Sequence, residues 1–162
     1  MKQIIKGKLS DIPLIGSYLH DSLITLSDKV FDEQKNDFSL ILERLCYESG
    51  QKKKILLIFT VFRYPTIKSR LTFTNISESK HKFMNKKLNT WGNEHRLLEI
   101  NLTKDQKIKL TAEHLEIILF SSGKTEVIIE DMSEPSEKLK VTDFSRSIFY
   151  GMDKINKLKT NV

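Results

Sequence analysis

Cysteine occurs once in this chain, at Cys46. A lone thiol cannot close an intramolecular disulfide, so nothing points to an oxidising compartment. Long apolar runs are missing as well. The longest, Ile55 to Phe59, has the size of a strand and falls far short of the roughly 20 residues a spanning helix needs. The opening MKQIIKGKLSDIP carries charge within its first eight residues and no apolar core, so it does not read as a signal peptide. Glycine is scarce, six residues in all, and none stands in a G-x-G-x-x-G or G-x-x-x-x-G-K-[ST] arrangement. The chain therefore lacks both loops that usually cradle mononucleotide and dinucleotide phosphates. Together these absences predict a soluble, cytoplasmic protein without a nucleotide cofactor.

What is present fits one globular domain over 1–162. A hydrophobic fraction of 39% in 162 residues suffices for one core. The formal charge is +6, mostly from lysine, while alanine occurs only at Ala112. Such a composition also arises from an AT-rich genome, so the distribution says more than the sum. Residues 1–50 carry six basic and eight acidic side chains, and 93–162 carry eleven and twelve. Residues 51–92 carry ten basic side chains against Glu78 alone, a net +9. A contiguous excess of this kind favours encounter with anions.

Along the chain, residues 3–9 read as a short strand. Ser10 suits an N-cap, Asp11 and Pro13 suit a first helical turn, and Ile12, Ile15 and Leu19 share one face. These signals predict a helix over about 11–22. Leu23–Phe31 is β-like, and Phe38–Tyr47 alternates with Phe38, Leu40 and Leu42 on one parity. Ser49, Gly50 and the lysines after them read as a turn, with Ile55–Phe62 and Leu71–Ile76 as an outgoing and a return strand about a bend at Pro65. Residues 77–95 have little periodic apolar content and read as a long mobile loop. Leu97–Leu102 is a further strand. Leu115–Phe120 and Thr125–Glu130 read as a hairpin about Ser121-Ser122-Gly123, with Gly123 at positive φ. Phe144, Ile148, Phe149, Met152, Ile155 and Leu158 predict a C-terminal helix over about 144–158.

Tyr18-Leu-His-Asp-Ser22, the strand after it and Phe38-Ser-Leu-Ile-Leu-Glu-Arg-Leu45 resemble an uncharacterised family of short bacterial proteins, a domain of unknown function. Leu19, Asp21, Phe38, Leu40, Leu42 and Arg44 fall on that family's pattern. His20 stands where Gln is expected and Glu43 where Asn is expected. The segment Leu119-Phe-Ser-Ser-Gly-Lys124 resembles its apolar strand ending in a Gly-rich turn. The resemblance covers the first third of the chain and 113–131, and it implies no activity.

Few residues suggest chemistry. Cys46 has no cationic neighbour in sequence that would lower its pKa, so it reads as a buried, inert thiol. His20, His81, His95 and His114 form no zinc spacing, and no metal is expected. His114, beside Glu113 and Glu116, reads as a solvated hairpin position. Glu126, Glu130 and Asp131 surround the late hairpin strand, and Glu126 and Glu130 share a solvated face. His20-Asp21 is the one pair with acid–base potential, although a histidine at a helix C-terminus also stabilises the last carbonyls. Arg44 lies on the apolar parity of its strand, where a guanidinium must be paired; the resemblance offers Asp21 as one partner. Lys52, Lys53, Lys54, Arg63 and Arg70 lie on or beside two strands, and Lys86, Lys87 and Trp91 lie in the loop. Cations interleaved with aromatics can bind single-stranded nucleic acid, but no RNP-type motif is present.

The expected architecture is α+β: a curved antiparallel sheet of seven or eight strands with an N-terminal and a C-terminal helix, comparable with a pleckstrin-homology-like roll. The expected function is a non-catalytic interaction module that docks an acidic protein or RNA through 51–92. The alternative is a small-ligand-binding or enzymatic domain on the concave sheet face, anchored by Arg44, His20 and Asp21. Exposed edge strands leave homodimerisation open.

Overall fold

The structure is a computed structural model that describes the backbone of residues 3–49, 51–55, 59–84, 94–136, 139–141 and 159–161, and the side chains of 3–49, 64–84 and 94–136. In chain order the elements are β1 (Gln3–Lys8), a 3-10 turn, α1 (Ile12–Leu19), β2 (Leu23–Thr25), a second 3-10 turn (Leu26–Asp28), β3 (Val30–Asp32), β4 (Asp37–Leu45), a third 3-10 turn (Tyr47–Ser49), β5 (Gln51–Ile55), β6 (Phe59–Phe73), β7 (Ile76–Phe83), β8 (Glu94–Leu102), β9 (Lys107–Ala112), β10 (Leu115–Ser121), β11 (Glu126–Asp131), β12 (Leu139–Val141) and β13 (Lys159–Asn161).

Period-2 alternation builds nearly all of it. On β4, β9, β10 and β11 every second residue is buried, and Phe38, Leu40, Leu42, Ile108, Leu110, Ile117, Leu119, Val127 and Ile129 meet in one core. All strand pairs are antiparallel. The hydrogen-bonded path runs β13-β1-β11-β6-β4-β2-β8-β9-β10-β7, with β12 and β5 attached to β6 and β3 to β4. The sheet is open: β13 and β7 are its two ends.

The consecutive strands β6 and β7, which do not pair with each other, set the shape. The chain bends at Thr74–Asn75, where Asn75 takes a left-handed φ of 54°. Its side-chain amide donates to the Lys124 carbonyl (2.7 Å), and its own carbonyl accepts from Ser122 N–H (2.8 Å). Consecutive strands β10 and β11 follow that bend: β10 lies along β7 and β11 along β6.

The helix is short because the 3.6-residue stripe is short. Ile12, Ile15 and Leu19 are buried, and the Asp11 carboxylate accepts the Lys8 N–H (2.8 Å) at the entry turn. Gly16 lets α1 press against β8, since a Cβ there would stand 2.8 Å from the Ile100 carbonyl oxygen.

Several expectations are corrected. The molecule is not α+β with a helix at each end: among the described residues α1 is the one α-helix, and thirteen strands, rather than seven or eight, supply the rest. Nor is it a pleckstrin-homology-like roll, because the sheet is open, with Lys159–Asn161 adding a strand to β1. The helix expected over 144–158 lies outside the described residues. The lysines after Gly50 form β5 instead of a turn. Pro65 does not separate two strands. It lies inside β6, where the ladder passes from β5 and β12 to β4 and β11, and its missing N–H is not needed there. Of the loop expected over 77–95, residues 77–83 form β7 and 94–95 open β8, because pairing with β10 holds a strand whose own sequence is polar; 85–93 lie outside the described residues. Finally, β10 and β11 pair with other strands rather than with each other, and Gly123 is not in the left-handed region.

Candidate functional site

Inward alternation carries one charged residue into the core at the end of β4. Arg44 follows Phe38, Leu40 and Leu42 on the buried parity and is 0% exposed. The same parity on β11, Val127 and Ile129, ends at Asp131, which is 2% exposed. Ser69 of β6 stands opposite both Asp131 and Leu42. The three strands therefore bring guanidinium, hydroxyl and carboxylate to one layer.

The geometry there is complete. Arg44 Nη2 donates to both Asp131 oxygens at 2.9 Å, and Nε donates to Asp131 Oδ1 (3.3 Å) and Ser69 Oγ (3.2 Å). The turn after β4 folds Glu48 back, so that Nη1 and Nη2 each reach a Glu48 oxygen at 3.3 Å, and Nη1 also donates to the Leu45 carbonyl. Ser69 Oγ donates to Asp131 Oδ1 (2.7 Å). From α1, the Tyr18 ring lies 4.9 Å from the guanidinium carbon and its hydroxyl donates to Glu48 Oε1 (2.5 Å). Tyr47 and Tyr64 extend this wall, with ring centroids 5.1 Å apart.

Burial alone would raise the Glu48 pKa. The Arg44 charge and the hydrogen bond from Tyr18 outweigh it and hold the carboxyl down at about 2. Burial pushes the Tyr18 phenol up; Arg44 opposes this, and Glu48 adds to it. Burial also raises the Cys46 thiol, which donates toward Ser49 Oγ at 3.5 Å. Every N–H of Arg44 has an acceptor, so the guanidinium has no donor left for a ligand. Its partner is Asp131, with Glu48, and not Asp21. In sequence Asp131 sits beside Glu130, but strand parity places Glu130 outside and Asp131 inside. That parity was the signal available for finding it.

His20 and Asp21 form their own pair at the end of α1, with Nδ1 and Oδ1 3.1 Å apart and both side chains part-exposed. His20 lines a groove of about 470 Å³ with Pro13, Gly16, Ser17, Leu98 and Asn101. Ser17 gives its only hydroxyl proton to the Pro13 carbonyl (2.9 Å), so His20 does not activate it. Among the described residues no three His, Cys, Asp or Glu side chains are placed to hold a metal ion.

Of the predicted basic residues, those whose backbone is described fall on the paired strands β5 and β6. Lys52, Lys53 and Lys54 of β5 stand in register with Phe62, Val61 and Thr60, and Arg63 stands opposite Gln51. Arg70 lies on the outer face of β6, half-exposed, 3.7 Å from Glu130. Lys86, Lys87 and Trp91 lie outside the described residues. Sequence reading missed Lys80 and Lys82 as strand residues. Both are exposed on β7, and His81 between them accepts from Lys29 Nζ at 3.1 Å. Phe83 sits between His81 and His95, with centroid distances of 6.1 and 6.2 Å. His95 is buried, its Nδ1 has no hydrogen-bond partner among the described residues, and burial and then His114 hold its pKa below the ordinary value.

Compared with protein-family models, with curated proteins and with solved structures, the chain matches none.

Proposed function

We propose that this chain is a non-catalytic interaction module that docks an acidic partner, protein or RNA, through the cationic segment 51–92. The observation that carries the reading is the exposure of the segment's described lysines, Lys68, Lys80 and Lys82, while Arg70 is paired with Glu130 outside the segment. The segment's one acid, Glu78, is engaged with Lys80 at 3.0 Å, a pairing at the surface that water and salt weaken. Lys68 and Lys82 are exposed and form no ion pair among the described residues. Arg44 supports the same reading from the other side, because its full pairing removes the strongest anchor for a small ligand on the concave face.

Retention on immobilised heparin and on polyglutamate tests the proposal. Affinity that falls steeply with salt, and falls further in K80E/K82E and K68E variants, is the expected result. Absence of retention at low salt, or retention indifferent to salt, removes the reading.

A further inference from the structure

We infer that the free edge of β7 is a strand-acceptor site for an extended acidic peptide, a conclusion that rests on the docking reading and narrows it to one place and one partner class. The argument begins with backbone register. Met84 N–H donates to the His114 carbonyl (3.0 Å), and Phe83 stands opposite Leu115. In an antiparallel ladder this makes Phe83–Leu115 a non-hydrogen-bonded pair, and the alternation follows from it. Glu78, Lys80 and Lys82 turn their N–H and C=O groups toward β10. Ser79, His81 and Phe83 turn theirs away from it. Among the described residues β7 is the last strand of the path, and although Ile76 N–H donates to the Asn36 carbonyl (2.7 Å), the groups of Ser79, His81 and Phe83 have no ladder partner there. Donors and acceptors at an open edge are a template for one more strand.

The side chains choose the occupant. Lys80 and Lys82 are exposed on the outer face, and residues directly opposite them on an added strand would lie within about 5 Å. A second copy docking antiparallel through β7 about His81 would set Lys80 against Lys82, which repels. An incoming strand with acids at alternate positions sets them all on one face, where they meet both lysines. Single-stranded RNA is served less well, because bases need open ring faces. Phe120, on the strand next to β7, already carries the Lys80 and Lys107 ammonium groups at 4.9 and 5.3 Å, and Phe83 is enclosed by two imidazoles.

The test is amide hydrogen exchange on the full chain, read residue by residue, with a fluorescence titration of the same probes. The probes are a peptide of alternating Glu and Thr, its Lys-for-Glu counterpart, and oligouridine. In the free protein the amides of Ser79, His81 and Phe83 should exchange quickly and those of Lys80 and Lys82 slowly. The Glu peptide at low salt should slow Ser79, His81 and Phe83 by about tenfold or more, and the Lys peptide should not bind. K80E/K82E should abolish that protection while its thermal unfolding stays that of the parent. Slow exchange at all three amides in the free protein overturns the inference. So does a bound Glu peptide that leaves them unchanged, although docking through another part of 51–92 would then stand. Binding of oligouridine alone overturns the inference and leaves the RNA arm of the docking reading. Binding of no anionic probe at low salt removes both.

Discussion

In the middle of the sheet, on β4, Arg44 is enclosed, and each of its N–H groups has an acceptor. Along β7, Lys80 and Lys82 are exposed beside three backbone N–H groups that have none among the described residues. The two regions belong to one continuous antiparallel sheet, and Ser69 of the first and Lys80 of the second lie on the consecutive strands β6 and β7, on either side of the bend at Thr74–Asn75. The contrast teaches that the positive charge important for the fold and the positive charge available for a partner are different charges. A count along the chain weights them equally. A desolvated cation is committed to its partners because removing them leaves it unsolvated, whereas a solvated lysine loses little when its neighbour changes.

The comparison can be broken most decisively at Arg44. Arg44→Ala leaves Asp131 and Glu48 facing each other without a counter-charge, and should cost about 3–5 kcal/mol in urea unfolding; a loss near that of an ordinary surface substitution would mean that the centre is not load-carrying. Acid should attack the same place. The Glu48 carboxyl is held at about 2 when folded, against an ordinary 4.5. Its contribution is therefore complete above about pH 4.5 and is lost as pH falls toward 2, since the unfolded chain takes up the proton first. Melting temperatures measured across that window should drop in the parent and drop less in Glu48→Gln. Ser69→Ala removes a donor to Asp131 and an acceptor from Arg44, and about 1–2 kcal/mol is expected from the same unfolding measurement. The smallest effect belongs to β7. Lys80→Ala with Lys82→Ala should leave stability within about 0.5 kcal/mol of the parent, while retention on polyglutamate weakens. A destabilisation rivalling that of Ser69→Ala would erase the distinction between the two regions.

How far the sequence could be read differs from element to element. The entry to α1 was legible because Pro13 and the Ile12, Ile15, Leu19 stripe are local signals. β4 was legible because its alternation is clean. β7 was not, since SESKHKF has almost no apolar residue on either parity and holds its extended form through hydrogen bonds to β10. The pairing of β10 and β11 misled for a related reason: two alternating segments around Ser-Ser-Gly make a good local hairpin, but each gains a longer ladder along β6–β7. Asp131 is an intermediate case. Its parity with Val127 and Ile129 marked it as inward, while its neighbour Glu130 drew it into an acidic surface cluster.

From the chain alone came the faces of the strands, the position of α1 and the requirement that Arg44 find a buried partner, because alternation, capping and the cost of burying a charge are set by residues close in sequence. Which acid answers Arg44, which strands lie side by side and which edge stays unpaired were decided in the tertiary structure. Strand pairing is a competition across the whole chain, won by the arrangement that leaves the fewest backbone groups and apolar side chains in water, and no single segment records its outcome.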